Sequence, residues 1–160
     1  MIYFAYGSNM DEARMRKRCP SAQFMSTARL PCFRLAFTRY SFNNRCGAAD
    51  IIKESHGAVW GVVYQIKDED RAALDKAEGV AVHAYKPISV EVCPEGDDTR
   101  RIKALTYIVV KKEDPHPKPS AQYKAMLVGG AKAWKLPADY IAELEQIETA
   151  STLSGAAHSQ

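Results

Sequence analysis

Three short stretches of this 160-residue chain hold residue types that do chemistry. Near the start, Tyr6-Gly7-Ser8-Asn9 follows an apolar run and precedes a helical pattern. A strand that ends in glycine and a polar pair before a helix aims several unpaired backbone N–H groups at one spot. Those donors and the helix dipole favour an anion or a carboxylate, and Gly7 lets a ligand approach the backbone closely. In the middle, Leu74-Asp-Lys-Ala-Glu-Gly-Val80 sets Glu78 beside Gly79, where a helix gives way to Val-Ala-Val. A carboxylate there can face a pocket, and partial burial lifts its pKa towards what a general base needs. Later, Pro119-Ser120-Ala-Gln-Tyr123 hands a loop over to a helix, with Tyr123 at its start and able to point a phenol at a pocket. Taken singly, each stretch has a plainer reading: a helix cap, a surface carboxylate, a packed tyrosine.

Other chemistries find no support. His56, His83, His116 and His158 have no metal-ligand spacing with one another or with cysteine, and no H-E-x-x-H pattern occurs, so no metal is expected. Neither a G-x-S-x-G elbow nor a P-loop is present. Cys46 beside Gly47 has no histidine near it in sequence and reads as a buried structural thiol. Cys19, Cys32, Cys46 and Cys93 stand far apart, unlike a disulfide framework. The net charge of +3 is mild, and its densest patch, Arg14, Arg16, Lys17 and Arg18, reads as a solvated helix face whose basic end suits the dipole. Nucleic-acid binding is not expected. Nothing reaches the ~18 apolar residues of a membrane span, and Met1 to Ala5 reads as a strand rather than a leader. The expectation is a reduced, soluble, cytoplasmic protein.

The elements that must position these residues follow from periodicity. Ile2 to Ala5 is a strand entering a tight turn. Asn9, with Glu12 three residues on, predicts a capped helix from Met10 to about Arg18, stopped by Cys19-Pro20. Ser21 to Phe42 mixes extended stretches around Pro31, with Arg34 to Thr38 the best strand. Asn43 to Gly47 is a turn. Ala58 to Ile66, β-branched and aromatic on both faces, predicts a central strand. A short helix spans Asp68 to about Lys76. Tyr85 to Val92 and Ile102 to Val110 alternate as strands about a turn at Glu95 to Asp98. Lys111 to Ser120 is a charged, proline-bearing loop, and Gln122 to Lys132 and Ala138 to Glu148 are helical. Strands first and two helices last argue an α+β domain over residues 1–150, followed by a loose polar tail over 151–160.

Read together, the motifs resemble the gamma-glutamylcyclotransferase family. The resemblance rests on Phe4-Ala-Tyr-Gly-Ser-Asn9, Leu74-Asp-x-x-Glu-Gly-Val80 and Pro119-Ser-x-Gln-Tyr123. Cys19-Pro-Ser-Ala22, Val59-Trp-Gly-Val-Val63, Gly130-Ala-Lys132, Leu136-Pro-x-x-Tyr140 and Ile147-Glu148 link them, so it spans roughly Ile2 to Glu148. It implies a small mixed β-barrel flanked by helices and a cofactor-independent enzyme of glutathione metabolism. Such an enzyme releases 5-oxoproline from gamma-glutamyl amino acids by attack of the substrate's own α-amine. It also implies that Glu78 is the catalytic acid/base. Tyr3, Phe4, Ala5, Tyr6, Gly7, Ser8 and Asn9 would cradle the glutamyl head, and Tyr85, Tyr107 and Tyr123 would line the pocket. The backbone donors at Gly7 and Ser8 suit either the α-carboxylate or a developing oxyanion. The partner implied is a small molecule, with a homodimer suggested. A gamma-glutamylamine or a gamma-glutamyl-capped intermediate is an alternative substrate, and a binding domain without turnover is the alternative outside enzymes. Two stretches depart from the family pattern: Gly79 to Ala84, expected to bring His83 near the site, and the loop Lys111 to Pro119, expected to reshape the leaving-group side.

Overall fold

A computed structural model describes residues 1–151. β1 (Ile2–Ala5) runs through a 3-10 turn at Ser8–Met10 into α1 (Glu12–Arg18). Then come β2 (Gln23–Ser41), β3 (Cys46–Gln65), α2 (Asp68–Ala77) and a second 3-10 turn at Val80–Val82. β4 (Tyr85–Pro94), β5 (Ile102–Val109), α3 (Ala121–Ala133) and α4 (Ala138–Glu145) complete the order. The strands close a barrel in the sequence β1-β3-β2-β4-β5. Neighbours are antiparallel except β1 beside β5, which pair in parallel through Tyr3 and Leu105. The expected α+β fold, a small mixed barrel flanked by helices, is this architecture.

Alternate residues of the strands supply two apolar clusters, as the two-residue period requires. Phe4 and Val63 fall in one, to which all five strands contribute and which α3 completes with Tyr123 and Leu127. Tyr3, Ala5, Val62 and Tyr64 fall in the other, where Met15, Leu74, Ala131, Tyr140 and Leu144 bring in the four helices. The central place of β3 depends on Gly61. A Cβ there would stand 2.3 Å from the Ala5 carbonyl oxygen and 2.8 Å from the Phe4 ring, so only glycine lets β1 close over it.

Several expectations are corrected. β2 is one strand of 19 residues rather than a broken mixture. Its register shifts at Phe24/Ser26, Pro31/Phe33 and Phe37/Arg39, and these absorb the positive φ of Cys32 and the proline beside it. α1 is capped by Asp11, whose Oδ1 accepts the Arg14 N–H at 2.9 Å, and not by Asn9. Both types cap well, but Asn9 is held in the 3-10 turn by bonds from Met10 N–H to Gly7 and Asp11 N–H to Ser8. The tail expected over 151–160 lies, beyond Ser151, outside the described residues.

The loop after β5 is tied to the β2–β3 hairpin. Lys112 Nζ meets the fully buried Asp50 at 2.5 Å, and Asp50 also accepts the Thr38 hydroxyl and the N–H groups of Ile51 and Val109. Glu113 N–H donates to Thr38 at 2.7 Å, Gly47 N–H to Lys118 at 2.8 Å, and Ala150 N–H to Pro119 at 2.8 Å. A buried carboxylate is tolerable only when its lone pairs are occupied like this. Among the described residues, no helix is long and apolar enough to cross a membrane.

Candidate active site

Glu78 closes α2. It is the C-terminal cap, and Gly79 turns the chain away at φ +66, a conformation glycine adopts without cost. The Glu78 side chain is only 17% exposed. Its Oε1 accepts from Asn9 Nδ2 at 3.3 Å and lies 3.7 Å from Arg18 Nη1. Burial lifts the Glu78 pKa, while Arg18, Arg14 and the Asn9 amide pull it back, and the balance leaves it above its ordinary value. The negative end of the α2 dipole acts in the same direction as burial. A carboxylate so placed is poised to take and return a proton.

Asn9 joins the neighbouring pieces. Its Nδ2 also reaches the Tyr3 hydroxyl at 2.9 Å, and its Oδ1 accepts from Arg18 Nη1 at 2.7 Å. The residue read as a helix cap therefore couples β1, α1 and the end of α2.

The opposite side is built on the backbone of one residue, Ala49. Ala49 N–H donates to the Tyr123 hydroxyl at 3.2 Å, and Ala49 C=O accepts from the Tyr85 hydroxyl at 2.7 Å. Tyr123 stands where the sequence predicts, at the start of α3, with Ser120 as the N-cap accepting its N–H at 3.0 Å. Tyr6 donates to the Tyr107 carbonyl at 2.6 Å, and Tyr107 itself donates to Asp75. Burial is the main cause raising the pKa of all five phenols, Tyr3, Tyr6, Tyr85, Tyr107 and Tyr123, so they stay neutral. Among the described residues, the Gly7 and Ser8 N–H groups have no backbone acceptor.

These groups face a cavity of about 340 Å³. Tyr3, Tyr6, Gly7, Ser8, Asn9, Glu78, Tyr85, Tyr107 and Tyr123 all line it, which brings together most of the residues singled out from the sequence. Phe4 and Ala5 do not; both are fully buried in the barrel wall. His83 is exposed at a positive φ and does not line the cavity, whereas its neighbour Val82 does. The loop Lys111 to Pro119 contributes nothing to the lining either. Sequence reasoning missed the arginines. Arg14 and Arg18, assigned to a solvated face, turn inward one helical turn apart, while Arg16 and Lys17 keep to solvent, Arg16 paired with Glu12. Their i, i+4 spacing on the side of buried Met15 was the available signal. Arg39, from the far end of β2, also lines the cavity.

Comparison with known proteins bears on the family and the fold. The sequence model of the AIG2-like family matches residues 58–144. The chain is 38% identical to the gamma-glutamylcyclotransferase of Bos taurus and 36% identical to that of Homo sapiens, in each case covering 92% of this chain and 78% of the relative. A solved gamma-glutamyl cyclotransferase superposes with a TM-score of 0.90 at 34% identity, covering 96% of this chain and 90% of its own.

Proposed function

This chain belongs to the gamma-glutamylcyclotransferase family, and from that premise we propose how its cavity works. It is a cyclotransferase that converts gamma-glutamyl compounds into 5-oxoproline and a free amine. The substrate's α-amine attacks its own γ-carbonyl carbon, the new C–N bond closes the lactam, and the old C–N bond to the leaving nitrogen breaks. Nucleophile and electrophile share one molecule, so holding them in a near-attack shape is worth effective molarities of ~10⁵–10⁸ M. Glu78 accepts the proton that frees the amine's lone pair and returns it to the departing nitrogen, which also takes the second proton the amine sheds on becoming the lactam N–H and so leaves as an ammonium. The free N–H groups of Gly7 and Ser8 receive the glutamyl head, and the neutral tyrosines shape the wall around it.

One observation carries this reading: a buried carboxylate with a raised pKa on a cavity, held by Asn9 and Arg18. Free thiols at all four cysteines, three of them buried, fit the reducing cytoplasm in which we place the enzyme. The homodimer suggested by the family is read by sedimentation.

The test is the product. A gamma-glutamyl amino acid with a free amine gives 5-oxoproline and the free amino acid, and its N-acetyl analogue is inert because acylation removes the attacking lone pair. Oxygen-18 from labelled water does not enter the product. Free glutamate as the primary product, or turnover of the N-acetyl compound, overturns the reading in favour of hydrolysis.

A further inference from the structure

The cavity wall carries four cationic side chains, Arg14, Arg18, Arg39 and Lys76, against the single carboxylate of Glu78. Two of the cations are committed to that carboxylate's surroundings. Arg18 bonds Asn9 and lies beside Glu78, and the charge of Arg14 also acts on it. Arg39 differs. It reaches the cavity from the opposite element, half-buried, and among the described residues it forms no ion pair. Lys76 also has no ion pair among the described residues, but it is exposed and stands on the Glu78 side, in the last turn of α2. The carboxylates of the adjoining strand and loop are occupied elsewhere, Asp50 by Lys112 and Thr38, Glu113 by the Tyr40 N–H.

Its placement is a product of the backbone. Phe37 pairs with Ala49 and Arg39 with Ala48, so β2 carries an extra residue between them. Such irregularities bend a strand and re-aim the side chain that follows. Phe37 stays in the core, edge-on to Tyr123 at 6.3 Å, and Thr38 turns to Asp50, which leaves Arg39 on the cavity beside Tyr85. Ser41, Asn43 and Asn44 extend the same polar rim into the hairpin turn. A half-desolvated guanidinium without an anion attracts one, and its planar fork matches a carboxylate.

We propose that Arg39 holds the carboxylate of the leaving amino acid, and so selects gamma-glutamyl amino acids over gamma-glutamylamines. This rests on the cyclotransferase reading of the same cavity. Such a substrate carries a carboxylate at each end. The head's carboxylate goes to the Gly7 and Ser8 donors and the amine to Glu78, and the remaining charge falls to the unpaired cation on the hairpin side. Arg39 is then a specificity-determining residue that takes no part in proton transfer.

The experiment compares γ-glutamylalanine with γ-glutamylethylamine, which is the same skeleton without the leaving-group carboxylate. Binding is measured calorimetrically in Glu78→Gln protein, with and without Arg39→Gln, so the answer does not depend on turnover. The dipeptide should lose roughly ten- to a hundredfold in affinity on Arg39→Gln, the usual worth of a hydrogen bond to a charged partner. Its advantage over the ethylamide should collapse, and Arg39→Lys should restore part of it. A preserved ratio between the two ligands overturns the proposal, and so does an equal loss for both, which assigns Arg39 to the glutamyl head. Failure of the wild-type protein to form 5-oxoproline refutes the cyclotransferase reading and leaves this binding comparison to be judged on its own result.

Discussion

Around Ala49 the polar groups meet fixed partners, Tyr85 at 2.7 Å and Tyr123 at 3.2 Å, with Tyr6 locked on the Tyr107 carbonyl at 2.6 Å nearby. Around Glu78 the contacts are longer, 3.3 Å to the Asn9 amide and 3.7 Å to the charged Arg18. Apart from Arg39 at its rim, the first side is neutral and saturated and serves as a mould. The second is under-coordinated, so its carboxylate can exchange a proton without breaking a strong bond. One cavity thus divides shape and reactivity between two walls. Substitutions on the Glu78 wall should act on turnover and its pH dependence, and those on the Ala49 wall on stability and binding.

The largest effect belongs to Glu78→Gln, which keeps the shape but cannot accept a proton. Turnover should fall by at least ~10²–10⁴-fold, the range of general acid/base help, while calorimetric affinity for substrate persists. A variant keeping a tenth of wild-type kcat removes Glu78 from the role. The same pair checks the sign of the titration. A carboxyl whose pKa is raised on folding stabilises the protein below its unfolded value, and that contribution is lost as pH rises through the folded value. Wild-type stability relative to Glu78→Gln should therefore decline with rising pH over that window, as urea denaturation at a series of pH values will read; a constant difference contradicts the raised pKa.

Next is Tyr123→Phe, aimed at the mould. It leaves the buried Ala49 N–H without its acceptor, at a cost of about 1–3 kcal/mol measured by denaturant midpoint. An unchanged midpoint would mean that the clasp contributes no stability. Smaller again is Asn9→Ala. The Asn9 amide holds the Glu78 pKa down, so without it the acidic limb of kcat/KM should move to higher pH. A limb that stays in place uncouples Asn9 from the reactive wall. The smallest effect expected is that of Gly7→Ala. Its new methyl would stand 3.2 Å from the Ala49 Cβ, tighter than ordinary contact, and points at the mould rather than into open cavity. Repacking by about 1 kcal/mol should raise KM and spare kcat. A fall in kcat alone would join Gly7 to the Glu78 wall.

The two walls were unequally legible in the sequence. Glu78 and Tyr123 could be placed because local signals fix them, a glycine after a helix end and a serine cap before one. The roles of Asn9, Arg14, Arg18 and Arg39 depend on contacts between elements far apart in the chain. Asn9 reaches Glu78 across 69 residues, and nothing local separates that use from a cap. β4 and β5 followed from alternation and the second half of β3 from its β-branched run, but the unbroken lengths of β2 and β3 did not, because the irregularities of their pairing mimic ends. Phe4 and Ala5 illustrate the reverse error, in which a motif next to a site extends into the wall that supports it.

The proline-bearing loop after β5 has the composition of a protease-sensitive linker, yet its ties change what a protease meets. Between Glu113, bonded to Thr38, and Lys118, bonded to Gly47, only four residues span the gap. A protease needs a longer extended stretch in its cleft, so cutting here requires one of those two ties to open first. The rate of nicking in this loop is therefore a gauge of how often that end of the barrel comes apart, and an affinity tag inserted at His116 would report the same opening by becoming accessible.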